Sequence, residues 1–168
     1  MKLLLVRHGP AVERADWNAR GKEDFLRPLT PQGRIRTRGA ARGLVRLLDP
    51  PQAIATSPFA RAVQTGDLVA RAFGVEAPEH LPALAPDGAP AEILPWLDPL
   101  AGAALVALVG HEPQLGRLAS FLLARSRTPF LELRKGGACL LELDGRPGAG
   151  AARLAWLLTA GQLRRLGR

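Results

Sequence analysis

Cysteine and long apolar runs are scarce in this chain. Its single cysteine, Cys139, excludes an intramolecular disulfide. No apolar run approaches the roughly 18 residues that a transmembrane helix needs. The N-terminal run over residues 3–6 is also shorter than the roughly 7–15 apolar residues of a signal-peptide core. These absences predict a cytoplasmic protein that does not enter a membrane.

Aromatic residues are equally scarce. Tyrosine is absent, aromatic residues make up 5% of the chain, and no recognised nucleic-acid-binding motif is present. Nucleic-acid-binding modules combine a basic surface with such a motif or with aromatic stacking platforms. The sequence therefore argues against a nucleic-acid partner, although its net charge is positive.

Lysine is the third scarce residue, in a chain that is otherwise basic. The net charge is +8, and only Lys2, Lys22 and Lys135 among the 23 basic residues are lysine. Arginine makes planar, bidentate contacts with phosphate and carboxylate groups. The arginine surplus predicts an anionic substrate or an acidic partner, but a GC-rich genome would also favour arginine. Composition alone does not identify the arginines that bind a ligand.

Signals for strands and helices alternate along the 168 residues. Short apolar runs predict strands, and periodic apolar segments predict helices. The predicted strands cover residues 2–6, 53–56, 104–109, 139–143 and 154–158. The predicted helices cover residues 31–48, a segment capped at Ser57 and ended by Gly74, residues 90–97 and residues 115–123. The remaining segments are a long loop over residues 10–29, an irregular stretch over 76–90 and an exposed basic tail over 162–168. The alternation predicts an α/β fold with three layers, and the lack of a repeat or linker predicts a single domain over residues 1–168.

Chemically active residues follow three of the predicted strands. His8 follows the first strand, Ser57 follows the second and leads to Arg61, and His111 follows the third. In open α/β sheets, ligands bind outside the carboxyl ends of the strands. We therefore expect two histidines and two arginines, Arg7 and Arg61, at one edge of the sheet, without a set of metal ligands.

Such a group of residues suits phosphoryl transfer to a histidine. A neutral imidazole is a good nucleophile towards phosphorus. Two guanidinium groups and a protonated second histidine could stabilise the charged phosphoryl oxygens without Mg²⁺ or another cofactor. The absence of a side chain at Gly9 lets the backbone approach the nucleophile, and a carbonyl there could fix the tautomer of His8.

The motifs resemble those of a known family. Arg7-His8-Gly9 directly after a first strand resembles the signature of the histidine phosphatase superfamily, whose members include phosphoglycerate mutases. The segments RPLT (27–30), SPFARAVQT (57–65) and VGHEP (109–113) resemble the bacterial phosphohistidine phosphatases of the SixA type. The resemblance extends in register from Met1 to about Leu123. It implies a phosphoglycerate-mutase-like α/β/α sandwich with a mostly parallel sheet and no cap domain.

The resemblance also implies a role for each motif residue. His8 would be the nucleophile that becomes phosphorylated, and His111 would be a cationic partner. The phosphoryl group and substrate would contact the other motif residues, namely Arg7, Gly9, Arg27, Ser57 and Arg61.

A general acid is missing where larger superfamily members have one. Residues 81–88 contain no glutamate, and Asp87 and Glu92 are the only nearby carboxylates. Asp87 is a possible weak acid, or simply a turn residue before Gly88. An imidazole leaving group is easily protonated, so the lack of a strong acid favours cleavage of a P–N bond over that of an ordinary phosphate ester.

These observations lead to one main functional hypothesis. The protein would be a metal-independent phosphatase that removes phosphate from the phosphohistidine of a signalling protein. A phosphatase of a small phosphorylated metabolite, such as a nucleotide or a sugar phosphate, is the alternative. The oligomeric state and the physiological substrate stay open.

Overall fold

The computed structural model describes residues 1–168, and its six strands form one mixed sheet. The strands are β1 (Lys2–Arg7), β2 (Ala53–Thr56), β3 (Glu79–His80), β4 (Leu105–Gly110), β5 (Ala138–Leu143) and β6 (Ala152–Leu158). Their order is β3-β2-β4-β1-β5-β6. The first four strands pair in parallel, and β5 and β6 pair antiparallel at one side. The predicted mostly parallel α/β sheet is confirmed.

Helices cover both faces of this sheet. They are α1 (Arg14–Asn18), α2 (Pro31–Leu47), α3 (Ala60–Phe73), α4 (Leu94–Leu97), α5 (Gln114–Ala124) and α6 (Ala160–Leu166). Short 3-10 turns cover Asp24–Leu26, Pro82–Leu84, Pro90–Glu92 and Asp98–Leu100. No helix has the length and apolar character needed to cross a bilayer.

The strand β1 shows why its sequence is apolar without alternation. Leu3 and Leu5 belong to one core with residues of α5, and Leu4 and Val6 belong to a second core with residues of α2, α3 and α6. A strand covered on both faces has no solvent side, so every position is apolar. Two cores around one sheet give the three layers, and no cap domain is added to them.

The predicted start of α2 is confirmed in detail. The hydroxyl oxygen of Thr30 accepts a hydrogen bond from the backbone N–H of Gly33 at 2.8 Å, and Pro31 occupies the first turn. This arrangement satisfies one of the unpaired N–H groups at the helix start. The cap therefore fixes the residue at which the loop over residues 10–29 ends and α2 begins.

Several segments predicted to be irregular are ordered. The loop over residues 10–29 contains α1 and a 3-10 turn, and residues 79–80 add the edge strand β3. The predicted helix cap at Ser57 is wrong. The helix α3 starts at Ala60, its N-cap residue is Phe59, and no side chain makes a capping hydrogen bond there. The Ser57 side chain is fully buried and contacts a histidine instead, so it does not act as a helix cap.

The predicted basic tail is exposed at Arg165 and Arg168, but residues 160–166 form the helix α6, which the sequence did not predict. Thr159 and Gln162 make a capping box at its start, and the helix packs against α2. A Cβ atom at Gly43 of α2 would lie 2.0 Å from the backbone oxygen of Leu163. The two backbones therefore approach as closely as they do only because residue 43 is glycine.

Candidate active site

Three strand ends meet at one edge of the sheet and form a cavity of about 240 Å³. The backbone N–H of His8 donates to the Gly110 carbonyl at 3.0 Å, and that of Ser57 donates to the Val109 carbonyl at 2.9 Å. The strand β4 therefore holds the other two strand ends beside its own. The cavity is lined by Arg7, His8, Glu13, Arg14, Arg27, Arg61, Pro86, His111, Glu112 and Lys135. Five of these residues are cationic and two are acidic.

The backbone of Gly9 orients His8. The Nδ1 atom of His8 lies 2.7 Å from the Gly9 carbonyl oxygen, which can only accept a hydrogen bond. Nδ1 therefore has the proton, and Nε2 has the lone pair that a nucleophile needs. A Cβ atom at Gly9 would lie 2.0 Å from the Thr37 hydroxyl oxygen, so the backbone at residue 9 lies this close to Thr37 only because it is glycine.

A chain of hydrogen bonds joins the backbone N–H of Gly9 to α3. The Gly9 N–H donates to the Thr65 hydroxyl oxygen at 3.0 Å, and that hydroxyl donates to the Arg61 carbonyl at 2.7 Å. Thr65 is fully buried. The orientation of the His8 ring and the position of Arg61 are thus linked through one side chain, which the sequence motifs did not single out.

The imidazole of His8 is neutral. Burial lowers its pKa to about 3, and the positive charges of Arg61, Arg7 and Arg27 add to this effect while the hydrogen bond to Gly9 opposes it. A neutral imidazole has a free lone pair on Nε2 at physiological pH. The same basic surroundings that repel a proton attract a phosphoryl group.

His111 faces His8 across the site, with the two ring centroids 5.0 Å apart. Its Nε2 atom lies 2.8 Å from the hydroxyl oxygen of Ser57. Burial lowers the pKa of His111 to about 2, and the positive charge of Arg61 contributes. The expected cationic His111 is therefore neutral in this structure. A phosphoryl dianion beside the ring would act against these effects and favour the proton.

Ser57 does not line the cavity, in contrast to the sequence-based expectation. Its hydroxyl oxygen accepts the Phe59 N–H at 3.4 Å, which leaves the hydroxyl proton free to be donated to Nε2 of His111. This arrangement favours the tautomer with a proton on Nδ1. Ser57 is thus a positioning residue behind His111.

Two arginine side chains are held through their Nη atoms, and their Nε–H groups have no protein partner. Arg7 donates from Nη1 to the Leu133 carbonyl at 2.6 Å and to Glu132 at 3.2 Å. Arg61 donates from Nη1 and Nη2 to the Asp24 carbonyl and carboxylate, at 3.0 and 3.1 Å. The Nε atoms of both arginines and Nδ1 of His111 are buried without a protein partner. An unpaired buried donor costs about 1–3 kcal/mol, and a hydrogen bond from such a donor to a bound anion would recover this cost.

Asp24 holds three arginines together. Its carboxylate lies 2.7 Å from Arg27 Nε, 3.1 Å from Arg61 Nη2 and 3.4 Å from Arg14 Nε. Partial burial would raise the pKa of Asp24, but the hydrogen bond from Arg27 and the charges of Arg61 and Arg14 outweigh it and lower the pKa. Arg27, which the resemblance places in contact with the substrate, is buried and lines the cavity.

Neither carboxylate considered from the sequence lines the cavity. Asp87 is exposed in a turn closed by the Gly88 N–H and the Ala85 carbonyl, and Pro86 rather than Asp87 reaches the site. Glu92 is exposed and accepts the Ala89 N–H at 3.2 Å.

Glu13 and Glu112 are the carboxylates that do line it. Burial raises the pKa of Glu112, against opposing hydrogen bonds from the Leu133 and Gly116 N–H groups at 3.0 and 3.3 Å. In the sequence, the position of Glu112 directly after His111 is the feature that could have indicated a place in the site. No group of three His, Cys, Asp or Glu side chains comes together in the structure.

An aromatic side chain that the motifs did not identify as functional supports the site. The ring of Phe59 lies 5.2 Å from that of His111, edge to face, and the Arg61 guanidinium lies 4.9 Å above it. On its other side Phe59 packs against Phe25 at 5.1 Å. The ring therefore links α3 to the loop that contains Asp24.

Comparisons with known proteins agree with this geometry. The model of the histidine phosphatase superfamily (branch 1) matches residues 3–85. An uncharacterized protein of Picosynechococcus sp. is 37% identical over 156 residues, which cover 92% of this chain and 88% of that protein. The structure of the protein histidine phosphatase SixA complexed with tungstate has a TM-score of 0.82 at 28% identity, covering 97% of this chain and 99% of that one. The α-ribazole phosphatase from Shigella flexneri has a TM-score of 0.71 at 15% identity, covering 95% and 97%, so it shares the fold alone.

Proposed function

Because residues 3–85 match the histidine phosphatase superfamily and the SixA fold covers 97% of this chain, we propose that the protein is a metal-independent phosphatase of this superfamily with a phosphohistidine intermediate on His8. In the first step Nε2 of His8 attacks phosphorus, and the bond from phosphorus to the leaving atom breaks. In the second step water attacks the phosphorus of phospho-His8, releasing inorganic phosphate and restoring the imidazole.

One observation supports this proposal above the others. The buried Nε atoms of Arg7 and Arg61 and Nδ1 of His111 lack protein partners and belong to residues of one cavity around a neutral His8. Donors fixed in advance stabilise phosphoryl oxygens without reorganisation during the reaction. The cavity's five cationic side chains supply the positive charge that Mg²⁺ supplies in many other phosphoryl-transfer enzymes.

For the substrate we propose the phosphohistidine of a signalling protein in the cytoplasm. The similar SixA structure is that of a protein histidine phosphatase and was solved with tungstate, a tetrahedral oxyanion like phosphate. The two carboxylates near residues 81–92 are exposed outside the cavity, which matches a leaving group that needs little acid assistance. The fold also has no cap domain that would exclude a protein substrate.

A small phosphorylated metabolite is the second candidate, and Glu112 is the observation that favours it. Its carboxyl group lines the cavity with a raised pKa, which is the property of a general acid for an alkoxide leaving group. The α-ribazole phosphatase shares the fold, but its low identity gives no support for a common substrate.

A substrate panel in the presence of EDTA tests both candidates. We expect a phosphohistidine protein and free phosphohistidine to be hydrolysed faster than nucleotide and sugar phosphates, with no loss of activity in the chelator. Glu112 also accepts the Leu133 and Gly116 N–H groups, so Glu112→Gln should slow the hydrolysis of phosphohistidine and of metabolite phosphates by similar factors, and the exposed Glu92→Gln serves as the matched control. Faster turnover of alkyl phosphates that Glu112→Gln abolishes would establish the metabolite phosphatase instead. Activity that EDTA removes and a divalent ion restores would contradict metal independence.

A further inference from the structure

A second cavity, of about 520 Å³, adjoins the candidate active site. Its lining residues are Glu112, Pro113, Pro129, Phe130, Leu131 and Glu132, and we call it the flanking groove. Glu112 lines both cavities. Glu132 lies 3.2 Å from Nη1 of Arg7. The flanking groove therefore begins directly beside the residues proposed to hold the phosphoryl group.

One wall of the groove exposes apolar surface in an alternating pattern. Residues 127–135 contain neither helix nor strand. Leu131 is half-buried and Leu133 is fully buried, whereas Phe130 and Glu132 face outward. At 59% exposure, Phe130 is the most exposed of the large apolar side chains. Together with Pro113, Pro129 and Leu131 it forms an apolar patch within one groove, and such patches mark binding surfaces.

The backbone of this wall is fixed on both sides of Phe130. The N–H of Phe130 donates to the buried hydroxyl oxygen of Ser120 at 3.0 Å. The N–H of Leu133 donates to Glu112 at 3.0 Å, and the Leu133 carbonyl accepts from Arg7. Pro129 restricts the backbone further. A ligand that packs on Phe130 would therefore pay little entropy for ordering the groove.

We propose that the flanking groove binds the polypeptide next to the phosphorylated histidine, with an apolar side chain of the substrate packed on Phe130. This inference rests on the proposed function. In an extended substrate, a residue three positions from the phosphohistidine lies about 10 Å from it along the chain, and Glu112, which lines both cavities, places the groove next to the site. The charged cavity accepts the phosphoryl group, and the groove accepts the apolar neighbour. Their continuity at Glu112 favours one occupant for both.

Matched phosphohistidine peptides test the groove. Each pair differs by leucine or serine at one position within three residues of the phosphohistidine. We expect the wild-type enzyme to prefer one leucine peptide by about tenfold in kcat/KM, as burial of one apolar side chain provides. Phe130→Ala should remove this preference and leave the hydrolysis of free phosphohistidine unchanged, while Phe130→Leu should retain part of it. Ile35→Ala, which alters an exposed apolar residue of α2 outside the groove, should retain all of it.

The outcomes separate the two proposals. If wild type shows no leucine preference, or if Phe130→Ala keeps it, the groove proposal is wrong while phosphohistidine hydrolysis stands. If wild type hydrolyses no phosphohistidine substrate, the proposed substrate fails and the groove proposal fails with it. An equal loss on peptides and on free phosphohistidine would show that Phe130 supports the site's structure, which would also overturn the groove. Circular dichroism of each variant checks that its fold is retained.

Discussion

At the scale of single residues, each proposed catalytic group is held by a second residue that does not line the cavity. The Gly9 carbonyl fixes the tautomer of His8, and Ser57 contacts His111. Asp24 receives two hydrogen bonds from Arg61. Groups fixed in this way need no reorganisation when charge develops on the phosphoryl oxygens. Substitution of a holding residue should therefore impair the reaction without removing a catalytic group.

Asp24→Asn tests this arrangement. Loss of the carboxylate charge loosens Arg61 and Arg27, so we expect kcat/KM to fall roughly tenfold, mostly through a higher KM. Asp144→Asn is the matched control, because Asp144 and its partner Arg153 form an ion pair that is 74% and 70% exposed. Steady-state kinetics on free phosphohistidine measures the effect. A rise in kcat/KM for Asp24→Asn would instead show that this carboxylate competes with the substrate's phosphoryl group.

The buried histidines also predict how stability depends on pH. An unfolded histidine has a pKa of about 6.5, whereas burial lowers the pKa of His8 to about 3 and that of His111 to about 2. As the pH falls below 6.5 the unfolded chain binds protons that the folded chain does not, so the free energy of unfolding decreases. Each histidine contributes roughly 1 kcal/mol per pH unit between pH 6 and 4.

Urea unfolding at a series of pH values measures this slope. His111→Asn should make it shallower than in wild type. Equal slopes in wild type and His111→Asn would mean that His111 gains its proton in the folded protein at the same pH as in the unfolded chain.

At the scale of elements, local signals predicted β1, α2, β2, α3 and β4 but neither the short α1 nor the last helix. Thr30-Pro31 marks the start of α2 because the capping contact lies within four residues. The helix α6 is short and rich in arginine, and its stability comes from packing on α2, a contact that no local pattern reveals. The cap predicted at Ser57 failed for a related reason, because the hydroxyl contacts a histidine 54 residues away.

Two glycines of α2 test the close packing against α6. A Cβ at Gly43 meets the Leu163 backbone at 2.0 Å, whereas a Cβ at Gly39 meets the flexible Arg164 side chain at 3.2 Å. We expect Gly43→Ala to lower the free energy of unfolding by about 2 kcal/mol. Gly39→Ala should be neutral or stabilising by up to about 1 kcal/mol, because alanine favours helix. Chemical denaturation measures both. Equal effects of the two substitutions would contradict the packing described here.

At the scale of the whole molecule, sheet topology decides what a sequence can reveal about the site. Arg7, His8, Arg61 and His111 follow strand ends, and a parallel sheet brings such ends together, so their proximity was predictable. The role of Asp24 was not predictable, because its contact with Arg61 joins a loop to a helix residue 37 positions further along the chain. Asp87 was considered as a weak acid because of its position along the chain, but the turn in which it lies leaves it exposed and outside the cavity.

The central claim is that His8 takes up the phosphoryl group, and trapping that intermediate tests it most directly. A phosphohistidine protein labelled with ³²P is mixed with the enzyme and quenched within milliseconds, and the labelled peptide is sequenced. We predict an acid-labile, base-stable label on His8, and no label or turnover in a folded His8→Ala variant. Label on Ser57 or Cys139, or turnover that survives in His8→Ala, would contradict the account.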